Sequence, residues 1–461
     1  MIEWFADHLA LIMFVTMFIV IFCGYPVAYV LGGTGLIFAV IAWMLDPGFA
    51  LVKLKSIVLR IWGGVAVDPV LVSLPMFIFM GAILERSGIA KDMLNATQVL
   101  MRRVPGGLAI AVMVMGTILA APIGVVGASV VMLSLISLPA MLAGGYDKRL
   151  SIGTVASAGT LGILIPPSIM LVVMGEMLST SVGSLFAAAA VPGFVLSGLY
   201  LLYILGVAVL KPARAPRLSA AALPQSYGEL LGIVLRGMVP MTLLMVVVLG
   251  SIFAGFATST ESSGVGCLIA LIIAWMNGRL DMPMLRGAIS DSCRANGLVF
   301  MVILGATGFS LIFRELGGDD LMLSTLSLMG IDTKWEVLIF VMVLIFLLGF
   351  PFEWIEICLI VLPVFAPILA RLDFGSHLGN AAWFMPWFAT LVAVNLQTAF
   401  MSPPFGATLF YMKGTVPPGC TMADVYAGMY PFLVLQVIGL VLCIAFPELS
   451  LWLPRVTGML D

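Results

Sequence analysis

The 461-residue chain is 62% hydrophobic and only 10% charged, with a formal net charge of −2, whereas a soluble domain carries about 25% charged residues. That composition excludes a soluble globule or any sizeable soluble domain. The basic residues stand at segment ends rather than in one patch, which excludes nucleic acid as a partner. The six cysteines show no CxxC spacing, and the two histidines, His8 and His377, cannot complete a zinc or haem set.

Apolar windows of about 20 residues recur along the chain, the length that crosses a hydrocarbon core. Glu3 and Asp7 precede the first of them where a secretory signal would carry Lys or Arg, so the first helix is expected to be retained. Residues 8–24 and 26–45 read as two helices joined at Gly24-Tyr25-Pro26. The stretch 46–67, with Lys53, Lys55 and Arg60 on one side, reads as an arm in the interface. A third span, 69–85, ends at Glu85-Arg86, and 91–103 reads as a second surface helix.

The apolar block 107–142 is interrupted by Ala121-Pro122 and Gly124-Val-Val-Gly127-Ala128-Ser129. Arms of roughly 15 residues, about 22 Å of helix, are too short to cross, so the block is expected to be a re-entrant hairpin with its tip at mid-depth. The next span, 148–178, contains Gly159-Thr160-Leu161-Gly162-Ile163-Leu164-Ile165-Pro166-Pro167-Ser168. A helix cannot continue through Pro166-Pro167, because proline lacks an N–H and its ring clashes with the preceding turn. A further span covers 183–210.

The only polar, proline-dotted linker begins at Lys211, and the pattern then recurs. Three spans (233–256, 262–276, 295–313) precede an amphipathic piece (318–330) and a second interrupted block, 336–370, centred on Gly349-Phe-Pro-Phe-Glu353. A second broken span, 383–412, holds Pro403-Pro404, and 425–447 closes the series. The expected division is a first repeat, 1–210, a linker, 211–232, and a second repeat, 233–461. Lys53, Lys55, Arg60, Arg314, Lys334, Arg371 and Arg455 fall on one side, and the other 14 of the 21 basic residues fall on the linker side. The bias places the linker in the cytoplasm and both termini in the periplasm. Each half has an odd number of crossings, so the second enters from the opposite face as an inverted repeat.

Breaking a helix at mid-membrane leaves carbonyls at one end and N–H groups at the other without partners. Hydrocarbon tolerates such a break only where it is packed in protein or lines a wet cavity. Paired broken spans in matching halves therefore point to a transporter binding site. Glu353 and Glu356 lie inside an apolar block, where a charge costs about 2.5 to 3.5 kcal/mol or more. An intramembrane enzyme would need a polar catalytic cluster within the spans, and neither histidine lies in one; the chain is not expected to be an enzyme.

Four stretches, Gly144-Gly145-Tyr146-Asp147-Lys148-Arg149, Gly159 to Ser168, Gly349 to Glu353 with Leu362-Pro363 and Ala366-Pro367, and Asn395 to Phe410, resemble signatures of the large permease subunit of the TRAP (tripartite ATP-independent periplasmic) transporters, the DctM type. The resemblance covers essentially the whole chain. It implies an all-α polytopic inner-membrane protein of the elevator-type ion-transporter superfamily, each half having three transmembrane helices, an interfacial helix, a re-entrant hairpin, a broken helix and a closing helix. It further implies sodium as the coupling ion with no other cofactor, and an organic acid as substrate. The implied partners are a small four-helix membrane subunit, a periplasmic solute-binding protein and the membrane lipid. A stand-alone sodium/dicarboxylate symporter of the same superfamily would share these devices. Here the second tip carries Glu353 where many members have Asp, and the first tip offers Ser129 as its hydroxyl.

Sodium prefers hard oxygen ligands, which unwound helices supply as carbonyls. One ion is expected near Gly124, Gly127 and Ser129, and another near Gly349, Glu353, Asn395, Thr398 and Ser402. The breaks themselves, Gly159, Thr160, Pro166, Pro167 and Ser168 with Pro403, Pro404 and Gly406, complete the candidate sodium and substrate site. The substrate carboxylate should meet the N-termini of the half-helices that follow the prolines.

Overall fold

In a computed structural model of the protein, residues 8–45, 52–124, 126–217, 227–404 and 406–460 are described, and all their regular structure is helical. The first half comprises α1 (Leu9–Phe22), α2 (Val27–Leu45), α3 (Val52–Ile61), α4 (Ser73–Arg86), α5 (Ile89–Leu100), α6 (Gly107–Ile123), α7 (Val126–Ala143), α8 (Lys148–Thr160), α9 (Ile169–Met177) and α10 (Val182–Leu210). The second comprises α11 (Tyr227–Gly237), α12 (Val239–Phe253), α13 (Ser259–Met276), α14 (Met282–Glu315), α15 (Gly318–Leu328), α16 (Lys334–Leu348), α17 (Trp354–Ala370), α18 (Gly375–Leu378), α19 (Phe384–Met401), α20 (Ala407–Thr415), α21 (Met422–Ala445) and α22 (Glu448–Val456). Residues 218–226 of the linker lie outside the described residues.

The order of devices repeats across the halves. α4 turns into α5 through a bend of 67°, made at Gly88, whose φ is +66°; Gly317, at +74°, stands at the same turn between α14 and α15. Glycine adopts this left-handed conformation without a Cβ clash. Hairpins α6/α7 and α16/α17 follow in each half, then the broken pairs α8/α9 and α19/α20, then the closing helices α10 and α21. Eight described helices are long and apolar enough to cross a membrane.

Several boundaries differ from the sequence expectation. The hairpin arms α6 and α7 have 17 and 18 residues, longer than roughly 15, because α6 runs on to Ile123, immediately before Gly124 with its φ of +64°. α14 has 34 residues, about 51 Å at 1.5 Å per residue, where a span of 295–313 is expected. Asp281 starts it early by accepting the Met284 N–H at 2.7 Å. The added turns carry charges, and Arg86 of α4 pairs with Asp291 at 2.6 Å. The expected span 233–256 is parted at Met238 into α11 and α12, and α22 is an additional amphipathic helix beside α10.

The helices pack in two groups, which also meet where α4 and α5 lie on α6 and α14 on α17. In the first, α2 crosses α14 through glycines: a Cβ on Gly305 would lie 2.3 Å from the Ala28 carbonyl oxygen. α4 packs on α13 and α14, and α5 on α11. In the second, α8 is held on three sides. A Cβ on Gly159 would lie 2.6 Å from the Val130 side chain of α7, one on Gly116 of α6 would lie 2.5 Å from Ala158, and one on Gly153 would lie 2.1 Å from the Gly428 carbonyl oxygen of α21. Small residues let membrane helices approach where lipid supplies no hydrophobic drive.

Candidate transport site

The first break follows directly from its residues. α8 ends at Thr160, a 3-10 turn covers Leu161–Ile163, and α9 starts at Ile169. Ser168 is extended (φ −109°, ψ 129°) and its side chain does not cap α9. Its hydroxyl instead donates back to the Ile163 carbonyl at 2.7 Å, serving an acceptor that Pro167, four residues on, cannot reach with an N–H. Every residue from Gly159 to Ile169, Pro166 and Pro167 included, is buried.

The second break is shorter and more open. α19 ends at Met401, α20 begins at Ala407, Pro403 is half-buried and Pro404 is exposed. Gly406, the residue before α20, offers no side-chain cap, and a Cβ there would lie 2.3 Å from the Phe400 carbonyl oxygen. Some helices are closed by side chains, as Asp147 caps α8, Asp281 caps α14, and Thr258, Thr333 and Thr421 cap α13, α16 and α21, while others, such as α4, α10 and α12, start without one. The half-helices α9 and α20 begin with their first N–H groups uncapped by side chains.

The breaks meet. Gln397 donates to Thr160 Oγ1 at 3.3 Å, and that hydroxyl lies 3.5 Å from Met401 Sδ. Asn395, Thr398 and Ser402 lie on a neighbouring face of α19 and are engaged otherwise. Asn395 donates to the Met342 carbonyl of α16 at 2.6 Å, while Thr398 and Ser402 donate to Val394 and Thr398 carbonyls at 2.9 and 2.8 Å. Gln397 was legible by the criterion that singled out Asn395, an amide inside an apolar span; its face of the helix was not.

Both hairpin tips reach this centre. A Cβ on Gly124 would lie 2.6 Å from Ile169 of α9, and one on Gly349 would lie 2.3 Å from Ala399 of α19. Glu353 Oε1 accepts the Tyr411 hydroxyl at 2.8 Å, and Glu356 accepts the Glu353 N–H at 3.2 Å. Ser129 Oγ, Gln397 Oε1 and Thr408 Oγ1 are three of the eleven buried side-chain oxygens without a hydrogen-bond partner among the described residues. These are the hard, uncharged donors that suit an alkali cation. Thr408, in the first turn of α20, and Tyr411 are not among the residues that sequence reasoning selects.

Contacts also cross between the two bodies. Arg314 of α14 donates to the Pro363 carbonyl of α17 at 2.9 Å. The usual donor to that oxygen would be the residue four further on, which is Pro367. Arg314, Arg60, Glu176 and Ser310 line a cavity of about 130 Å³ at this boundary. Phe352 at the second tip packs on Phe18 and Phe22 of α1, with ring centroids 6.5 and 5.6 Å apart.

A family model described as the Tripartite ATP-independent periplasmic transporter, DctM component, matches residues 14–449. The chain belongs to this family. Among DctM relatives, it is 28% identical to the C4-dicarboxylate TRAP transporter large permease protein of Rhodobacter capsulatus, over 98% of this chain and 100% of that one. It is 26% identical to the ectoine/5-hydroxyectoine TRAP transporter large permease protein UehC of Ruegeria pomeroyi, over 96% and 98%. Among solved structures, the YdaH transporter of Alcanivorax borkumensis superposes with a TM-score of 0.61 at 13% identity, covering 89% of this chain and 90% of that one. That likeness bears on fold alone. Membership of DctM makes the chain a multi-pass permease component of a tripartite system and favours it over the stand-alone symporter.

Proposed function

We propose that this DctM chain is the large subunit of a sodium-coupled importer of an organic acid, delivered by a periplasmic binding protein and translocated together with a small four-helix membrane subunit. The substrate is a carboxylate; C4-dicarboxylate and ectoine, for which the two relatives are named, both bear that group. The observation that carries this reading is the meeting of two broken helices beside three unpartnered buried oxygens, Ser129 Oγ, Gln397 Oε1 and Thr408 Oγ1. Sodium would be held near Ser129 and near Glu353, with break carbonyls completing each shell. The carboxylate would meet the uncapped N-termini of α9 and α20, where the helix dipole favours an anion.

Transport proceeds by an elevator movement, in which α6–α10 and α16–α22 slide against α1–α5 and α11–α15. The boundary is an extended one, in which α4 and α5 pack on α6 and α14 packs on α17, with Arg314 reaching the Pro363 carbonyl across it. The protein lies in the bacterial inner membrane with the linker in the cytoplasm and both termini in the periplasm.

The test is sodium-dependent thermal stabilisation of the purified chain, with potassium chloride matching ionic strength, because a ligand that binds only the folded state raises its melting temperature. Glu353→Gln should move the sodium titration to higher concentration while leaving the melting temperature in potassium unchanged. An identical titration removes Glu353 from the ion site, and no sodium response in the parent chain overturns the coupling ion.

A further inference from the structure

We propose that Tyr411 is a positioning residue that makes the two hairpin tips respond together when the ion is bound at the second tip; this rests on the sodium reading of Glu353 given above. Tyr411 belongs to α20, the half-helix that leaves the second break. Its hydroxyl donates to Glu353 Oε1 of the second hairpin at 2.8 Å. Its ring fills the space beside Gly127 of the first hairpin, where a Cβ would lie 2.7 Å from Cζ and 3.0 Å from the hydroxyl oxygen. One side chain therefore touches both tips and is carried on the broken helix between them.

The chemistry suits positioning. A phenol donates one hydrogen bond and brings no charge of its own, so it fixes the orientation of Glu353 without placing a competing cation beside it. Glutamate has one more rotatable bond than aspartate and loses more freedom when ordered; a donor holding one oxygen offsets that cost. The contact with Gly127 works in the other direction. Any movement of Glu353 toward an ion draws on the ring, and the ring can shift only by changing its packing against the first tip. No other residue in the described structure is shown joining Glu353 to the first hairpin.

The experiment uses the full chain and sodium alone as the probe. Tyr411→Phe keeps the ring and removes the donor, and should raise the sodium concentration for half-maximal thermal stabilisation about tenfold, the effect of one lost hydrogen bond to a charged group. The melting temperature in potassium should change little, because Glu353 is exposed and water replaces the lost donor there. Glu353→Gln combined with Tyr411→Phe should be no worse than Glu353→Gln alone, since both act through one carboxylate. A cysteine at Ala128, beside the first tip and partly exposed, reports the coupling: sodium should slow its maleimide labelling, read at that residue by mass spectrometry, and Tyr411→Phe should abolish the slowing at any given sodium occupancy. Gly127→Ala, which displaces the ring, should do the same. An unshifted titration in Tyr411→Phe with a shifted one in Glu353→Gln overturns the role of Tyr411 and leaves the ion site standing. Additive effects in the double variant, or labelling at Ala128→Cys that ignores sodium in the parent, also overturn it.

Discussion

The two broken spans use the same prolines and end differently. The first, between Thr160 and Ile169, is buried throughout, and α6, α7 and α21 press on α8 through Gly116, Gly159 and Gly153. The second, between Met401 and Ala407, leaves Pro404 exposed, and the half-helix after it carries the partly exposed Tyr411. Both breaks carry a proline pair, so the contrast comes from their neighbours. A break sealed on all sides serves as a fixed frame, and a break with an open side is where ligands can enter and leave. In this structure the first break is enclosed by protein, and the second keeps one open side.

The largest effect should follow from breaching the seal. Gly159→Ala puts a Cβ 2.9 Å from the Val130 Cα and 3.1 Å from its nitrogen, and backbone on both sides cannot yield as a side chain tip would. Overpacking of this kind costs about 1 to 3 kcal/mol, occasionally more, so the variant should lose melting temperature or fail to give a monodisperse peak in detergent. Gly414→Ala on α20 has nothing within 4 Å of the added atom and should leave stability unchanged or slightly raised. If Gly159→Ala is tolerated as well as Gly414→Ala, the first break is not sealed.

The second hairpin gives the next effect, because its arm is held across the body boundary. Arg314→Met removes the donor at 2.9 Å from the Pro363 carbonyl, and an unserved buried acceptor costs about 1 to 3 kcal/mol. Arg314→Lys should restore part of the loss in a thermal melt. Equal stability in Arg314→Met and the parent would mean that water serves that carbonyl, and that the boundary is wetter than the contacts indicate.

Much of this architecture was legible in the chain. Hydropathy set the spans and the proline pairs set the breaks, and at the start of α13 Thr258 and Glu261 form a reciprocal cap, the Glu261 carboxylate accepting the Thr258 N–H at 2.8 Å. The polar reach of α14 was not legible, because a hydropathy window stops where Arg286, Asp291 and Arg294 begin while the helix itself does not. Nor could the sequence tell which face of α19 meets the first break. Asn395 and Gln397 are two residues apart, about 200° around a helix, and only tertiary packing sends one to Met342 and the other to Thr160. Tyr411 escaped for a related reason: its two partners lie 58 and 284 positions away, in different hairpins.

The smallest effect tests the breaks through their hydroxyls. Ser168 Oγ reaches back five residues to the Ile163 carbonyl at 2.7 Å, an acceptor that Pro167 cannot serve. Thr398 Oγ1 donates at 2.9 Å to the Val394 carbonyl, which lies inside α19 and already receives a helical N–H. Ser168→Ala should therefore cost about 1 kcal/mol, and Thr398→Val, which keeps the side-chain shape, less than about 0.5 kcal/mol. Both are read as melting temperatures in potassium, so that ion binding does not enter. The order matters more than the sizes. A larger loss from Thr398→Val would mean that the second break depends on its hydroxyls for cohesion, and that its open side is held no more loosely than the enclosed first break.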